Sequence, residues 1–160
     1  MPDRQSMSPA ARFAARLRHV AFRFIRPVTM GTQGMVLDGQ GRVFLVRHTY
    51  VPGWHFPGGG VEAGETVREA LARELAEEGN IVLDGPPELH GVFFNDRFSR
   101  RDHVVVQVVR QFRQTAPRAP DAEIAESGFF PCDALPEGTT RAARARLAEV
   151  LERAAVAERW

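Results

Sequence analysis

The segment that most constrains this chain is residues 56 to 81, where a run of three glycines leads into a stretch crowded with carboxylates. Pro57 fixes the direction in which the chain enters the glycine run, and glycine allows close backbone approaches that a side chain would block. Thr66 and Glu69 stand at the spacing of a capping box, which predicts that a helix begins there. The chain therefore places a loop that can bring backbone atoms against a ligand directly before a helix.

The carboxylates of this predicted helix overlap the face that should be buried. The apolar stripe, at helical spacing, consists of Val67, Ala70, Leu71 and Leu75. At about 100° per residue, Glu74, Glu77 and Glu78 fall within an arc of roughly 100° that overlaps this stripe. These carboxylates repel one another, and the helix macrodipole disfavours anions in the last turn. The arrangement is unfavourable unless a positive charge lies among them.

A hard divalent cation, Mg²⁺ or Mn²⁺, would remove this conflict. Such ions prefer oxygen ligands and commonly sit between one or two carboxylates and a substrate phosphate. Arg73 lies next to Glu74 and either orients that carboxylate or contacts a phosphate; we favour the orienting role. The segment predicts a cation site for a phosphate-bearing substrate.

The spacing of these residues resembles the Nudix box, the signature of a family of hydrolases that act on nucleoside diphosphates linked to another group. Five residues separate Gly59 from Glu65, seven more precede Arg73, and the run Arg-Glu-Leu-Ala-Glu-Glu ends in Gly-Asn-Ile. One position departs from the pattern, because Asn80 replaces the glycine that normally precedes the closing apolar residue. Since Asn tolerates a left-handed conformation, we expect the helix to end there as usual.

The resemblance covers roughly residues 28 to 152 and implies an α/β fold, an α/β/α sandwich around a mixed β-sheet. The order of predicted strands and helices favours the same architecture. By resemblance, the metal ligands are Glu74, Glu77 and Glu78, with a backbone carbonyl from Gly58 or Gly59.

Members of this family often use a further acid from a later loop. Glu123 is our first candidate and Glu126 the second, although Glu126 is better explained as the partner of a backbone group or an arginine. The expected catalytic residues are Arg73, Glu74, Glu77 and Glu123. The residue that serves as general base varies among members, so the resemblance leaves three candidates: Glu74, Glu77 and Glu123.

The remaining sequence predicts strands and a closing helix. Strands are expected at 28–37 and 42–46, joined by an Asp-Gly turn that favours a hairpin, and at 81–83, 89–94 and 103–112. An amphipathic helix is expected at 140–156. Its inward residues should be Ala143, Leu147, Val150 and Leu151.

Two loops carry the expected substrate contacts. In the loop before the glycine run, Tyr50, Trp54 and His55 are placed to stack on a base or to contact a leaving group; alternatively, Trp54 plugs one end of the sheet. The polar loop 95–102 is interpreted as a lid whose Arg97, Arg100 or Arg101 meets phosphates, and we select Arg97 and Arg101. The alternative for each arginine is a solvated hairpin tip.

Residues 1–26 form a basic amphipathic extension before the hydrolase domain, which we place at 27–160. Phe13, Leu17, Val20 and Phe24 recur at helical spacing between arginines. The alternatives are a helix packed on the domain or on a second subunit, a helix on a membrane surface, and a targeting segment. We favour packing, and this helix and the sheet edges make a homodimer reasonable.

Length, charge and cysteine content indicate the number of domains, the kinds of partner and the cellular location. A chain of 160 residues with 44% hydrophobic content fits one domain. A net charge of +1 argues against general nucleic-acid binding, and no apolar stretch is long enough for stable membrane insertion. Cys132 is the sole cysteine, so a reducing cytoplasm is the expected location.

The expected function is Mg²⁺-dependent (or Mn²⁺-dependent) hydrolysis of a diphosphate bond in a small-molecule nucleotide. The candidate substrates are nucleotide sugars of the ADP-ribose kind and nucleoside triphosphates. One alternative is a non-catalytic module of the same fold that binds a nucleotide or a partner. Another is a lipid-surface or interaction protein that uses the basic helix.

Overall fold

The computed structural model describes residues 28–160. The predicted N-terminal extension, residues 1–26, lies outside the described residues, as does its expected helix. Within the described part, no helix is both long enough and apolar enough to cross a membrane.

The described residues form eight strands and two helices. In chain order these are β1 Thr29–Val36, β2 Arg42–His48, β3 Gly58–Gly60, α1 Val67–Gly79, β4 Ile81–Leu83, β5 Glu88–Phe94, β6 Asp102–Val109, β7 Phe112–Gln114, β8 Ile124–Pro131 and α2 Arg141–Leu151.

The strands form a mixed arrangement. A four-stranded sheet has the order β3-β1-β6-β5, in which β1 and β6 run parallel and the outer pairs are antiparallel. Two antiparallel pairs, β2 with β8 and β4 with β7, complete the fold. This confirms the predicted α/β class with a mixed sheet.

Strand β2 shows how the layers form. Its four residues Val43, Phe44, Leu45 and Val46 are fully buried. Because successive side chains of a strand point to opposite faces, they divide between two cores. Val43 and Leu45 join the core that contains Leu147 of α2, whereas Phe44 and Val46 join the core that contains Leu71 and Leu75 of α1. One helix covers each face, as expected for an α/β/α sandwich.

Helix α1 begins and ends as predicted. Thr66 is its N-cap and forms a capping box with Glu69. Asn80 is its C-cap and has a left-handed backbone, with φ 52° and ψ 34°. The departure from the usual glycine therefore leaves helix termination intact.

The expected hairpin between β1 and β2 is wrong. The turn forms, since the Asp38 amide donates to the Arg42 carbonyl at 3.0 Å, but only the isolated bridge between Leu37 and Val43 joins the strands. Beyond that bridge β1 pairs with β3 and β6, whereas β2 pairs with β8. The local turn signal is therefore correct, but each strand pairs with a partner distant in the sequence rather than with its neighbour across the turn.

Two further boundaries differ from expectation. The strand expected at 103–112 is split into β6 and β7, and the chain between them is exposed at Arg110 and Gln111. Helix α2 ends at Leu151, which is 46% exposed rather than inward. Its buried face instead includes Arg146 and Glu149.

Candidate active site

The capping box fixes where the acidic face of α1 begins. The Thr66 amide donates to Glu69 Oε2 at 2.7 Å, and the Glu69 amide donates to Thr66 Oγ1 at 3.2 Å. Because the helix starts at a defined residue, the acids one to three turns later have defined directions. Glu74 and Glu78 point toward the glycine run.

Arg73 connects the glycine loop to the helix. Its guanidinium donates to Glu74 Oε1 at 2.7 Å, to Glu65 Oε1 at 2.9 Å and to the Gly60 carbonyl at 3.1 Å. Glu77 Oε2 lies 3.5 Å from the same group. The hydrogen bond from Arg73 lowers the pKa of Glu65. These contacts support an orienting role for Arg73 rather than a direct phosphate contact.

Glu78 is the most buried of the three acids in the last turn. Its Oε2 accepts a hydrogen bond of 2.7 Å from the Gly58 amide, and the residue is 4% exposed. Burial, together with the negative charges of Glu74 and Glu123, raises the pKa of Glu78 to about 8 despite that hydrogen bond. A negative charge at this position lacks a compensating cation in the described part of the protein.

The glycines of the loop make room for these carboxylates. A Cβ on Gly59 would lie 2.3 Å from Glu74 Oε1, and a Cβ on Gly58 would lie 2.1 Å from the Thr32 carbonyl oxygen. Gly58 also has a φ of 151°, which side chains rarely adopt. Burial raises the pKa of Glu74, although its hydrogen bond with Arg73 opposes this effect. Glu77 is more open, with a side chain that is 60% exposed.

A second set of ligand atoms comes from the end of β2 and from the residue just before β8. One nitrogen of His48 and one carboxylate oxygen each of Glu78 and Glu123 all lie within 4.8 Å of one another. The Tyr50 hydroxyl donates to Glu123 Oε1 at 3.3 Å. Glu123 therefore comes close to the acids of α1 although it follows them by more than forty residues.

Glu126, the second candidate for the later acid, forms an ion pair with Arg47 across the β2–β8 pair. This contact agrees with the interpretation of Glu126 as an arginine partner. It leaves Glu123 as the acid of this segment that faces the cluster.

The described residues fit a divalent cation. Carboxylates from α1 and from the segment before β8 converge beside backbone groups of the glycine loop, and hard cations prefer such oxygen donors. The raised pKa of Glu78 marks a buried acid that a bound cation would allow to ionise. His48 Nδ1 is buried and has no hydrogen-bond partner among the described residues.

The three expected substrate contacts of the first loop fall in different environments. Tyr50 is 66% exposed beside the acid cluster. Trp54 is only 8% exposed and packs edge to face on Phe130, with ring centroids 4.7 Å apart, so its contacts favour the plug interpretation. His55 Nε2 lies 3.0 Å from the Pro52 carbonyl oxygen.

The lid arginines are exposed. Arg97 and Arg101 lie in the loop between β5 and β6, on either side of Phe98, which is 80% exposed. Arg97 lines a cavity, whereas the backbone of Arg101 is tied to Thr29, whose amide donates to the Arg101 carbonyl at 3.0 Å.

Two cavities are lined by residues of the lid, and the smaller one also by residues of the glycine loop. The smaller, of about 340 Å³, adjoins the glycine loop, and its lining includes Gln33, Gly58, Gly59, Asn95, Phe98 and Asp102. The larger, of about 680 Å³, lies between the lid and α2, and its lining includes Val51, His55, Arg97, Arg141, Arg146 and Trp160. Both volumes suit a nucleotide-sized ligand.

A family model described as NUDIX domain matches residues 29–153, which is most of the chain. The chain belongs to the NUDIX domain family. The sequence resemblance to the Nudix box is thereby confirmed, and the glycine loop, the acids of α1, His48 and Glu123 all lie inside the matched NUDIX region.

Relatives of this NUDIX domain include RNA pyrophosphohydrolases. A segment of 54 residues is 44% identical to the RNA pyrophosphohydrolase of Dinoroseobacter shibae and covers 32% of this chain and 34% of that protein. A segment of 86 residues is 33% identical to the RNA pyrophosphohydrolase of Rhodospirillum rubrum and covers 45% of this chain and 52% of that protein. The chain thus spans roughly a third to a half of these curated relatives.

A solved structure extends the likeness to about three quarters of the chain. A crystal structure of the MutT NUDIX hydrolase from Burkholderia pseudomallei superposes with a TM-score of 0.66 and is 27% identical in sequence, covering 76% of this chain and 97% of that chain. The likeness therefore covers nearly all of that compact domain.

The sequence did not predict the contacts of two residues of the NUDIX site. Glu65 belongs to the box pattern, but its spacing of eight residues from Arg73 gives no sign that the two side chains meet. His48 sits at the end of a strand next to an ordinary loop, and only the pairing of β2 with β8 brings it to Glu78 and Glu123.

Proposed function

We propose that this NUDIX domain hydrolyses the diphosphate bond of a nucleoside diphosphate linked to another group, with the help of Mg²⁺ or Mn²⁺. The observation that carries the proposal is the convergence of Glu74, Glu78 and Glu123 beside the glycine loop, with no compensating cation among the described side chains at Glu78. Family membership supports the same reaction class.

Each residue of the site has a distinct task in this proposal. Glu74, Glu77 and Glu78 hold the divalent cation, with a carbonyl of Gly58 or Gly59 as a further ligand. The cation, when bound, neutralises phosphate charge and lowers the pKa of a coordinated water. Arg73 keeps Glu74 directed at the loop through the contacts to Glu65 and Gly60.

The proton of the attacking water goes to a carboxylate. Glu74, Glu77 and Glu123 remain the three candidates for this general base. Glu123 is exposed and hydrogen-bonded by Tyr50, so it is accessible to water and held in place. Neither a cysteine nor a serine nucleophile is needed, because water is the attacking group.

The smaller cavity supports placement of the nucleoside beside the glycine loop. Gln33, Asn95 and Asp102 supply polar groups there, and the exposed ring of Phe98 offers a surface for stacking. The phosphates would then point along the loop toward the acids. Arg97 and Arg101 of the lid are the proposed phosphate contacts, and Tyr50 and His55 are the proposed contacts of the leaving group.

Nucleoside triphosphates and nucleotide sugars of the ADP-ribose kind are the proposed small-molecule substrates. Because the curated relatives described above are RNA pyrophosphohydrolases, the 5′-triphosphate end of an RNA is added to them. We place the protein in the cytoplasm on account of its single cysteine. The extension 1–26 remains a proposed packing element of the monomer or of a homodimer.

A hydrolysis screen tests the proposal. The purified chain is incubated with Mg²⁺ or Mn²⁺ and with nucleoside triphosphates, nucleotide sugars, ADP-ribose, dinucleotides and 5′-triphosphorylated RNA. We expect release of phosphate or pyrophosphate products from one substrate class, and loss of that activity in Glu77→Gln.

The matched control is Glu126→Gln, because it removes a carboxylate that pairs with Arg47 outside the cluster. This variant should keep its activity. Binding of the cation without hydrolysis of any substrate would instead favour the non-catalytic binding module.

A further inference from the structure

His48 occupies an unusual position at the end of β2. The pairing of β2 with β8 shifts register between Arg47 and His48, so that His48 lies opposite Ile124 and one residue of β8 has no partner. Such irregularities redirect side chains. Just beyond it, the Thr49 amide donates to the Glu123 carbonyl at 2.9 Å, which holds the Glu123 segment against this end of β2.

The imidazole of His48 is buried beside acids but makes no good hydrogen bond in the described part of the chain. Its side chain is 11% exposed, and Nε2 lies 3.5 Å from Glu78 Oε1, which is longer than an ordinary N–H···O hydrogen bond. Nδ1 is buried without any hydrogen-bond partner. The ring nitrogens therefore make no ordinary hydrogen bond in the described part of the chain, and Nε2 faces the acid cluster.

We propose that His48 is a nitrogen ligand of the divalent cation, together with Glu78 and Glu123, and that it shifts the metal preference of the site from Mg²⁺ toward Mn²⁺ and Co²⁺. This inference rests on the proposed function, because it concerns the same cation. Magnesium favours oxygen donors, whereas sites that contain nitrogen donors also bind first-row transition metals, with an affinity that rises from Mn²⁺ to Co²⁺.

The distances support a shared ion. Two ligand atoms that each lie about 2.1 Å from an ion are about 3.0 Å apart at right angles and about 4.2 Å apart on opposite sides. The separation of 3.5 Å between His48 Nε2 and Glu78 Oε1 falls in this interval. The Glu123 ligand atom lies within 4.8 Å of the other two, and binding of a shared ion would require this exposed side chain to rotate toward them.

A purely structural role for His48 is the competing explanation. In that case the ring only fills space between Tyr50 and His55, whose ring centroids lie 5.2 Å and 6.0 Å away, and hydrogen-bonds to a protonated Glu78. Loss of the ring would then change stability but would leave the choice of metal unchanged. A readout of the metal coordination itself separates the two roles.

The test measures nitrogen coordination to bound Mn²⁺ by electron spin echo envelope modulation of the full chain. We expect a ¹⁴N coupling from a directly bound imidazole in the wild type, replaced by a ¹⁵N coupling after selective ¹⁵N-histidine labelling. His48→Gln should lose the coupling. His55→Gln, which removes the neighbouring imidazole, should keep it.

Competition between Mn²⁺ and Mg²⁺ gives the second readout. In His48→Gln we expect affinity for Mn²⁺ to fall about tenfold or more, since removal of a group that merely supports a metal ligand already costs about 10- to 100-fold. Affinity for Mg²⁺ should fall less, so the preference for Mn²⁺ decreases. Mn²⁺ binding without histidine coupling in the wild type overturns the inference while leaving hydrolysis intact. Binding of Mg²⁺ without binding of Mn²⁺ overturns the inference alone, whereas absence of binding of either ion overturns both the inference and the metal dependence of the proposed function.

Discussion

Each of the two helices buries a glutamate, but the surroundings shift the pKa of the two carboxyl groups in opposite directions. On α2, Glu149 is 8% exposed and Arg146 is 2% exposed. Arg146 Nε donates to Glu149 Oε2 at 2.8 Å, and His90 Nε2 lies 2.7 Å from the same oxygen. Burial would raise the pKa of Glu149, but the hydrogen bonds from Arg146, the Ala157 amide and His90 outweigh it and lower the pKa.

On α1, Glu78 is equally buried, but it has the Gly58 amide and a distant imidazole in place of an arginine. Its pKa is raised to about 8 rather than lowered. Arg73, the cation of this face, is already bound to Glu65 and Glu74. A buried acid with its own arginine serves the fold, whereas a buried acid without one leaves a place for a positive ligand.

The largest expected effect comes from removing Arg146, the arginine that pairs with the buried Glu149 on α2. Arg146→Met leaves Glu149 buried without its main partner and removes the guanidinium that lies 4.0 Å from the centroid of the Phe93 ring. We expect the free energy of unfolding to fall by about 3–5 kcal/mol. Urea denaturation followed by circular dichroism measures this change.

The control for that experiment is Arg110→Met, since Arg110 is exposed between β6 and β7. It should change stability by less than about 0.5 kcal/mol. Equal losses in the two variants would show that the α2 cluster contributes no special stability.

The second prediction concerns Glu78, the buried acid of α1 that has no arginine partner among the described residues. Glu78→Gln keeps an acceptor for the Gly58 amide but removes the charge. We expect the rate of hydrolysis to fall roughly 100- to 1,000-fold, as for loss of a key electrostatic group. Without a divalent cation, the same variant should be at least as stable as the wild type at neutral pH. A variant that is both active and destabilised would mean that Glu78 is a structural residue like Glu149.

The third prediction concerns pH. In the unfolded chain Glu78 ionises near the ordinary glutamate pKa of 4.5, whereas the folded chain holds the proton up to about pH 8. Between these values the folded state binds more protons, so stability should fall as pH rises, by on the order of 3 kcal/mol between pH 5 and pH 8.

Thermal unfolding in chelator across this pH range measures the effect. Glu78→Gln should flatten the dependence, and added Mn²⁺ should restore stability at the alkaline end, because it binds the ionised form. A melting temperature that rises steadily with pH in chelator would contradict the prediction.

The sequence identified α1 far better than α2. On α1, the overlap of the apolar stripe with the carboxylates can be recognised in the sequence, because both sets of residues lie within one helix. The capping box and Asn80 also define where this helix begins and ends. On α2, periodicity placed Leu151 inward, although it is 46% exposed, and passed over Arg146 and Glu149. Their burial depends on His90 and on the chain near Ala157, which no local pattern reveals.

The same limit explains what was missed in the active site. Glu74, Glu77 and Glu78 share one helix, so their mutual position follows from helical geometry. His48 and Glu123 reach them through the pairing of β2 with β8. Glu123 was found only through the family resemblance, and His48 was not singled out at all.

The smallest expected effect concerns Arg73, which contacts several groups on α1 and in the glycine loop, whereas Arg146 on α2 pairs with one buried acid. Arg73→Lys keeps the positive charge on α1, but one ammonium group cannot contact Glu65, Glu74 and the Gly60 carbonyl with the geometry of a guanidinium. We expect kcat/KM to fall about tenfold, equal to about 1.4 kcal/mol, with metal binding largely kept. Arg68→Lys, on an exposed position of the same helix, is the control and should match the wild type. If Arg73→Lys also matches the wild type, charge alone suffices and the fixed direction of Glu74 has no role; if its activity is abolished, Arg73 contacts the phosphates after all.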